Sequence, residues 1–502
     1  TKLVLEDKFR DAIGEYGNQI TLGIGTTVLG MPMEGISVST LEDLDAFLEL
    51  GIEAGIIGPE NRDVIYEKVR SMRENQPAWI WEAVTELEEK IRTGEVEVPM
   101  VVTEDERDYW RGIFERLPSV KPRLYIVYDV GGRGDMSFND MAYMGGKRAE
   151  QEFGIELIGM PSMTEADYVP NLRAAAFDPN AELIVGVGYL LSSALAQVAG
   201  EFPDKNFVGI DTYASSISPQ PNLLDVVFEE HKGSALVGVL GGLLAAYYDK
   251  PHIGAVLGIE IPLLWTFEIG YKWGCDWAMS WIENNKPEME QGIYNTPRNQ
   301  RVLWTYTGTF SDISKGYEAA KPMYADGAVA VYNIAGPLWL GINQAVKEIA
   351  EAENLENGPP FWIGVDADQD WINPGFVIAS MMKRVDWGVY YATQLVLENK
   401  FRDIVTSENG ALTLGIGTPM EGISVSTLGD LDAFLELGIE AGIIDPENRD
   451  AIYAKVEAMR EAQPSWIWEA VGELENKIRT GVENVPEADT EEEVNYWRGI
   501  FG

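Results

Sequence analysis

Nine short apolar runs alternate with stretches of helical periodicity between residues 124 and 366, and this alternation constrains the fold more than any other feature. The first five are LYIVY (124 to 128), IELIG (155 to 159), LIVGVG (183 to 188), NFVGID (206 to 211) and LLDVVF (223 to 228). The second series is HIGAVLG (252 to 258), RVLWTYTG (301 to 308), AVAVYNIA (328 to 335) and FWIGVD (361 to 366). Strands that alternate with helices pair in parallel, because each crossover carries a helix back across the sheet. Two series of similar length, broken near residues 229 to 250, predict an α/β chain of two Rossmann-like lobes.

The ends of the chain repeat each other. Residues 33 to 114 and 420 to 501 align without a gap, with 63 of 82 positions identical. Upstream, LVLEDKFRD (3 to 11) matches LVLENKFRD (395 to 403). Two copies so far apart do not make a stacked array. Each opens with a short strand (TLGIG in both), and Ser39 or Ser426, or the following Thr, is placed to cap a helix. Two further helices follow, and the last carries Trp79, Ile80, Ala83, Leu87 and Ile91 at helical spacing, an apolar face that needs a partner surface. The expected division is a mainly helical segment at 1–119, a first lobe at 120–230, a second at 231–393 with a crossover back to the first, and a carboxy-terminal segment at 394–502 that completes the domain.

Composition excludes several functions. With 81 acidic against 38 basic residues, a formal charge of −43 disfavours nucleic acid and anionic membrane surfaces as partners. A single cysteine, Cys275, and two distant histidines, His231 and His252, leave no thiolate or imidazole metal cage, no internal disulfide and no Cys–His nucleophile pair. No cofactor is expected. The longest apolar run, ALVGVLGGLLAAYY (235 to 248), is too short to span a bilayer and reads as a buried helix. TKLVLEDKFRD at the start is not a signal peptide.

Chemistry belongs at the carboxyl ends of parallel strands, where loops and helix amino-termini line a crevice. The stretch RLYIVYDVGGRGDMSFNDMAYMGGKR (123 to 148) is a strand, a glycine loop bearing acidic, Ser, Phe and Asn side chains, and a helix. Asp129, Asp211 and Asp366 with Asp368 each follow a strand, so these carboxylates can converge on one cleft. Carboxylates accept paired hydrogen bonds from vicinal hydroxyls or an amino-bearing purine edge, and aromatic faces stack on bases. A strand-end aspartate also caps the next helix, and Lys383 with Asp386 also reads as a surface pair.

The aspartate, glycine loop and Ser-Phe-Asn resemble the opening motif of the basic membrane protein family of solute-binding proteins, which includes purine nucleoside receptors of ABC transporters. Further matches stand in the family's order: GVGYLLSSALAQVAGEFPDKNFVGID (186 to 211), NLLDVVFEEHKGSALVGVLGGLLA (222 to 245), IGVDADQD (363 to 370) and VIASMMKRVD (377 to 386). The resemblance covers residues 120 to 486. It implies two lobes joined by a hinge, of the type I periplasmic-binding-protein kind, closing on a nucleoside delivered to a membrane permease, without catalysis. It also implies an exported protein at the cell surface or in the periplasm, anchored through an amino-terminal lipid or segment that this sequence lacks.

Carried over residue by residue, Phe138 matches the aromatic stacked on the base and Asp211 the carboxylate facing the base edge. Gly364, Asp366, Lys383 and Asp386 match positions that hold the ribose, and Asn139 and Asp129 lie in the same motif. Where the family has a glycine-rich loop, this chain has Tyr332 followed by AGPLWLG, leaving Tyr332 or Trp339 for the second aromatic face. The carboxy-terminal copy resembles the family's ending, so the front copy is the extra one, expected to mediate homo-oligomerisation. Two alternatives stay open: a nucleoside hydrolase using strand-end carboxylates such as Asp366, Asp368 and Asp370, with or without Ca²⁺, and a sugar or autoinducer binder on the same fold.

Overall fold

The computed structural model describes residues 27–28, 31–32, 40–53, 57–74, 78–93, 95–96, 98, 121–440 and 442–502. The chain divides into two units, Thr1–Ser119 and Val120–Gly502.

In the larger unit, strands β1 (Arg123–Tyr128), β2 (Glu156–Met160), β3 (Ala181–Val187), β4 (Phe207–Ile210) and β5 (Leu223–Phe228) alternate with helices α1 (Phe138–Phe153), α2 (Tyr168–Phe177) and α3 (Ser192–Glu201). The chain then enters α4 (Glu230–Tyr247), β6 (His252–Leu257), α5 (Pro262–Asn285), β7 (Val302–Tyr306), α6 (Ile313–Ala325), β8 (Ala328–Ile334), α7 (Trp339–Glu353), β9 (Phe361–Asp366) and β10 (Val377–Lys383). It ends with α8 (Val385–Leu397), α9 (Phe401–Ser407), β11 (Ala411–Leu414), β12 (Ile423–Val425), α10 (Leu428–Glu440), α11 (Arg449–Glu461), α12 (Ser465–Arg479) and α13 (Glu491–Phe501).

Two six-stranded sheets result, ordered β11-β5-β4-β3-β1-β2 and β12-β10-β9-β8-β6-β7. All pairings are parallel except β12 against β10. Helices cover both faces, so strands such as β8 and β9 are buried along their whole length, which is why they read as continuous apolar runs.

The chain passes between the sheets after β5, after β10, and again between β11 and β12, which sit on edges of different sheets. This is the two-lobed, hinged architecture of type I periplasmic binding proteins. Beyond the break near 229 to 250 and the crossover after residue 393, the carboxy-terminal segment supplies one edge strand to each sheet.

The apolar run at 235 to 248 is helix α4, buried between the second sheet, α5 and α12. Among the described residues, no helix is long and apolar enough to cross a membrane. Helices α4 and α5 meet at glycines: a Cβ at Gly238 would lie 2.3 Å from the Tyr271 carbonyl oxygen, and one at Gly274 2.0 Å from that of Ala235. Cys275, next to Gly274, is buried, and desolvation pushes its thiol up to about 12.

In the smaller unit, helices span Leu41–Glu53, Arg62–Glu74 and Ala78–Arg92, matching α10, α11 and α12 residue for residue. The shared sequence makes the same local contacts. Arg62 meets Asp45, Glu49 and Asp63 as Arg449 meets Asp432, Glu436 and Asp450. The helix caps are Thr40 and Thr427, each exchanging hydrogen bonds with the Asp three residues on, while Ser426 is buried and donates to Asp370 at 3.2 Å. The front TLGIG segment lies outside the described residues.

Candidate functional site

The loop from β1 to α1 is tied down by its own side chains. Asp129 Oδ1 accepts from the Gly131 amide at 2.9 Å and from Asn139 Nδ2 at 3.0 Å, so Asp129 fastens the loop rather than capping the helix. The cap is Asp135, whose carboxylate accepts from the amides of Ser137, Asn139 and Asp140 at 2.9–3.1 Å. Burial outweighs these bonds and pushes the Asp135 carboxyl up to about 7.

This loop reaches the other lobe. Ser137 Oγ donates to Asp366 Oδ2 at 2.7 Å, and Gln369 Nε2 donates to the Met136 carbonyl at 2.9 Å. Trp339 Nε1 donates to the Asp135 carbonyl at 2.8 Å. Asp211 and Asp366, at the ends of β4 and β9, both adopt left-handed backbone, with φ of 58° and 65°. Such backbone is unfavourable for residues with a Cβ and concentrates at functional sites.

Lys383, at the end of β10, is buried between the lobes and bonds Asp211, with Glu230 Oε1 2.7 Å away. Burial alone would lower the lysine, but Asp211, Glu230 and Asp366 together raise it above the ordinary range, so it stays cationic. Desolvation pushes Glu230 up to about 8 and Asp366 up to about 6. One cation is thus shared among three acidic side chains.

Of these residues, Asp135, Asp211, Asp366 and Lys383 line a partly open cleft between the two sheets. The structure brings together Asp129, Phe138, Asn139, Asp211, Asp366 and Lys383 of the residues expected from sequence. Two oxygens among them, Asn139 Oδ1 and Asp211 Oδ1, are buried without a hydrogen-bond partner.

The other four lie outside the cleft wall. Tyr332 is fully buried on β8 behind it, with its ring 5.2 Å from Tyr271, because strand alternation turns it toward α5. Trp339 stacks on Trp362 and spends its indole N–H on Asp135. Gly364 lies inside β9, where a Cβ would fall 2.4 Å from Ser380 Oγ. Asp386 pairs with Arg384 at 2.7 and 2.8 Å.

The aromatic side chains that line the cleft besides Phe138 are Tyr189, Phe267 and Phe310, with Ile261, Leu263 and Leu264 beside them. Phe310 and Phe267 follow β7 and β6 in the fold, in segments whose sequence carries no signal beyond apolarity. Asp366, Asp368 and Asp370 do not converge. Asp366 turns to Ser137, while Asp370 is held by Ser380 and Ser426 and pairs with Arg460. Asp368 accepts from the Asp370 amide at 2.9 Å.

A family model for the "ABC transporter substrate-binding protein PnrA-like" group, Bmp, matches residues 123–426. An uncharacterized lipoprotein of Pyrococcus horikoshii is 35% identical over 360 residues, covering 72% of this chain and 82% of its own. The nucleoside-binding ABC transporter protein BmpA of Lactococcus lactis is 29% identical over 309 residues, covering 58% of this chain and 80% of its own. Among solved structures, an ABC transporter solute-binding protein of Aeropyrum pernix superposes with a TM-score of 0.65 at 30% identity, over 75% of this chain and 98% of that one. The two lobes, the hinge and these matches agree: the chain belongs to the Bmp family of PnrA-like ABC transporter solute-binding proteins.

Proposed function

We propose that this protein binds a nucleoside, most readily a purine nucleoside, between its lobes and delivers it to a membrane permease without chemical turnover. The observation that carries the reading is the unpartnered Asp211 Oδ1 in a cleft whose walls are the rings of Phe138, Phe267 and Phe310. A flat, uncharged ligand with N–H donors on one edge fits between such walls and supplies the missing donor. Phe138 stacks on the base and Asp211 faces its edge. Asp366 and Lys383 hold the sugar hydroxyls, with Asp129 and Asn139 closing the near end.

Lys383 does not invite an anion, because Asp211, Glu230 and Asp366 already surround it. Further support comes from the L. lactis relative, named as nucleoside-binding, and from the relatives named as lipoproteins, which suggest an exported, membrane-anchored receptor.

The test is calorimetry against adenosine, guanosine, inosine, cytidine, uridine, free bases and ribose, followed by chromatography of the mixture. Tight binding of a purine nucleoside recovered intact is the expected result. Release of base and ribose would make the protein a hydrolase, and binding of ribose in preference to nucleosides would make it a sugar receptor.

A further inference from the structure

The front copy has kept the residues with which the carboxy-terminal copy grips the second lobe. Between Gly422 and Val485, every described position that is buried in the carboxy-terminal copy carries the same residue in the front copy. The differences between the copies over this stretch fall on positions that are exposed or only partly buried. A shared helical core explains the retained apolar residues. It does not explain retained polar and aromatic ones whose partners lie outside the copy.

Six such residues exist. Arg460 pairs with the fully buried Asp370, and Ser426 Oγ donates to the same carboxylate. Gln463 Oε1 accepts from Tyr248 Oη at 3.0 Å. Trp466 stacks on Trp281 with centroids 5.7 Å apart, and Glu473 accepts from the Trp281 indole at 2.8 Å. Lys477 Nζ sits 5.2 Å from the Trp277 ring. Their counterparts Arg73, Ser39, Gln76, Trp79, Glu86 and Lys90 are all unchanged.

The front copy also holds its arginine as the other does: Trp81 Nε1 donates to the Arg73 carbonyl at 3.2 Å, as Trp468 does to Arg460 at 3.2 Å. Leu87 is 50% exposed where Leu474 is fully buried.

We propose that the front copy docks on the second lobe of a second copy of this chain, at the surface formed by α4, α5 and Asp370, displacing that chain's own residues 420 to 486. Each chain offers two versions of the docking segment and one surface for it, so exchange preserves the contacts and costs little. Its extent is set by chain concentration against the tethering of the resident segment.

The test uses full-length chains. Light scattering should show a dimer fraction that grows with concentration and is lost in Arg73→Glu and, separately, in Trp79→Ala, with circular dichroism confirming that both variants fold. A Gln76→Cys chain mixed with a Tyr248→Cys chain should form an inter-chain product with a bifunctional maleimide, Cys275 being buried. A monomer at all concentrations with no such product would overturn the proposal. So would association unaffected by either substitution, or a cross-link found only when both cysteines share one chain.

Discussion

Ser137 Oγ donates to Asp366 Oδ2 at 2.7 Å, joining the residue that opens α1 in one lobe to the end of β9 in the other. Both residues are buried, and the bond joins the two lobes directly. It stands beside two more cross-lobe bonds, from Trp339 and from Gln369, whose own side chains do not line the cleft.

Ser137→Ala should weaken ligand binding by about tenfold, since it leaves a buried carboxylate short of a donor at a cost of roughly 1–3 kcal/mol in the closed state. Calorimetry on the variant checks this. An unchanged affinity would show that closure does not depend on the bond.

Phe138→Ala and Phe310→Ala should each weaken purine nucleoside binding by about 10- to 100-fold, as expected for roughly 1–3 kcal/mol per stacked face. Tyr332→Phe, outside the cleft, should leave affinity within about twofold. Equal losses at all three positions would contradict the placement of the base between Phe138 and Phe310.

Lys383→Met should destabilise the protein by about 3–5 kcal/mol, because it strands Asp211 and Glu230 as buried carboxyls without a cation. Denaturant unfolding measures the loss. Adding Asp211→Asn should recover part of it, since the uncompensated charge, more than lost packing, causes the damage.

Stability of the unliganded protein should fall as pH rises toward neutrality, in part through Asp135. Its carboxyl is raised from 3.8 to about 7 by burial, so between those values the folded state holds a proton that the unfolded chain has released. The contribution is fully present below about 4 and is lost as pH climbs through about 7. Buried His231, lowered to about 4 by desolvation, acts in the opposite direction below its ordinary 6.5. The slope assignable to Asp135 is therefore the difference between wild type and Asp135→Asn in urea unfolding from pH 4 to 7. Identical slopes would remove Asp135 from this role.

Gly238→Ala should cost about 1–3 kcal/mol or more, because its Cβ would meet the Tyr271 carbonyl at 2.3 Å and force α4 from α5. A thermal midpoint within a degree of wild type would show that the helices can separate freely.

Strand and helix order, the buried nature of 235–248 and the matching helices of the two copies were legible in the sequence, because each depends on periodicity or on local side-chain bonds. So was half the cleft: Asp129, Phe138, Asn139, Asp211, Asp366 and Lys383 sit at strand ends, and strand ends in parallel sheets converge. The remainder was not. Phe267 and Phe310 look like any core aromatics, and only the packing of α5 and the loop after β7 turns them toward the cleft. Tyr332 carries the right ring, but which face of β8 it occupies is decided by the layer packed against it.

The sequence by itself determined the two parallel sheets, the duplicated ends and the acidic character, since patterning and charge are properties of the chain alone. Tertiary structure decided that β11 and β12 complete different sheets, that Ser137 closes on Asp366, and that Lys383 is neutralised by Asp211, Glu230 and Asp366. Those outcomes depend on groups far apart in the chain, brought together only when both lobes bury their apolar faces and draw these charges into one dry space.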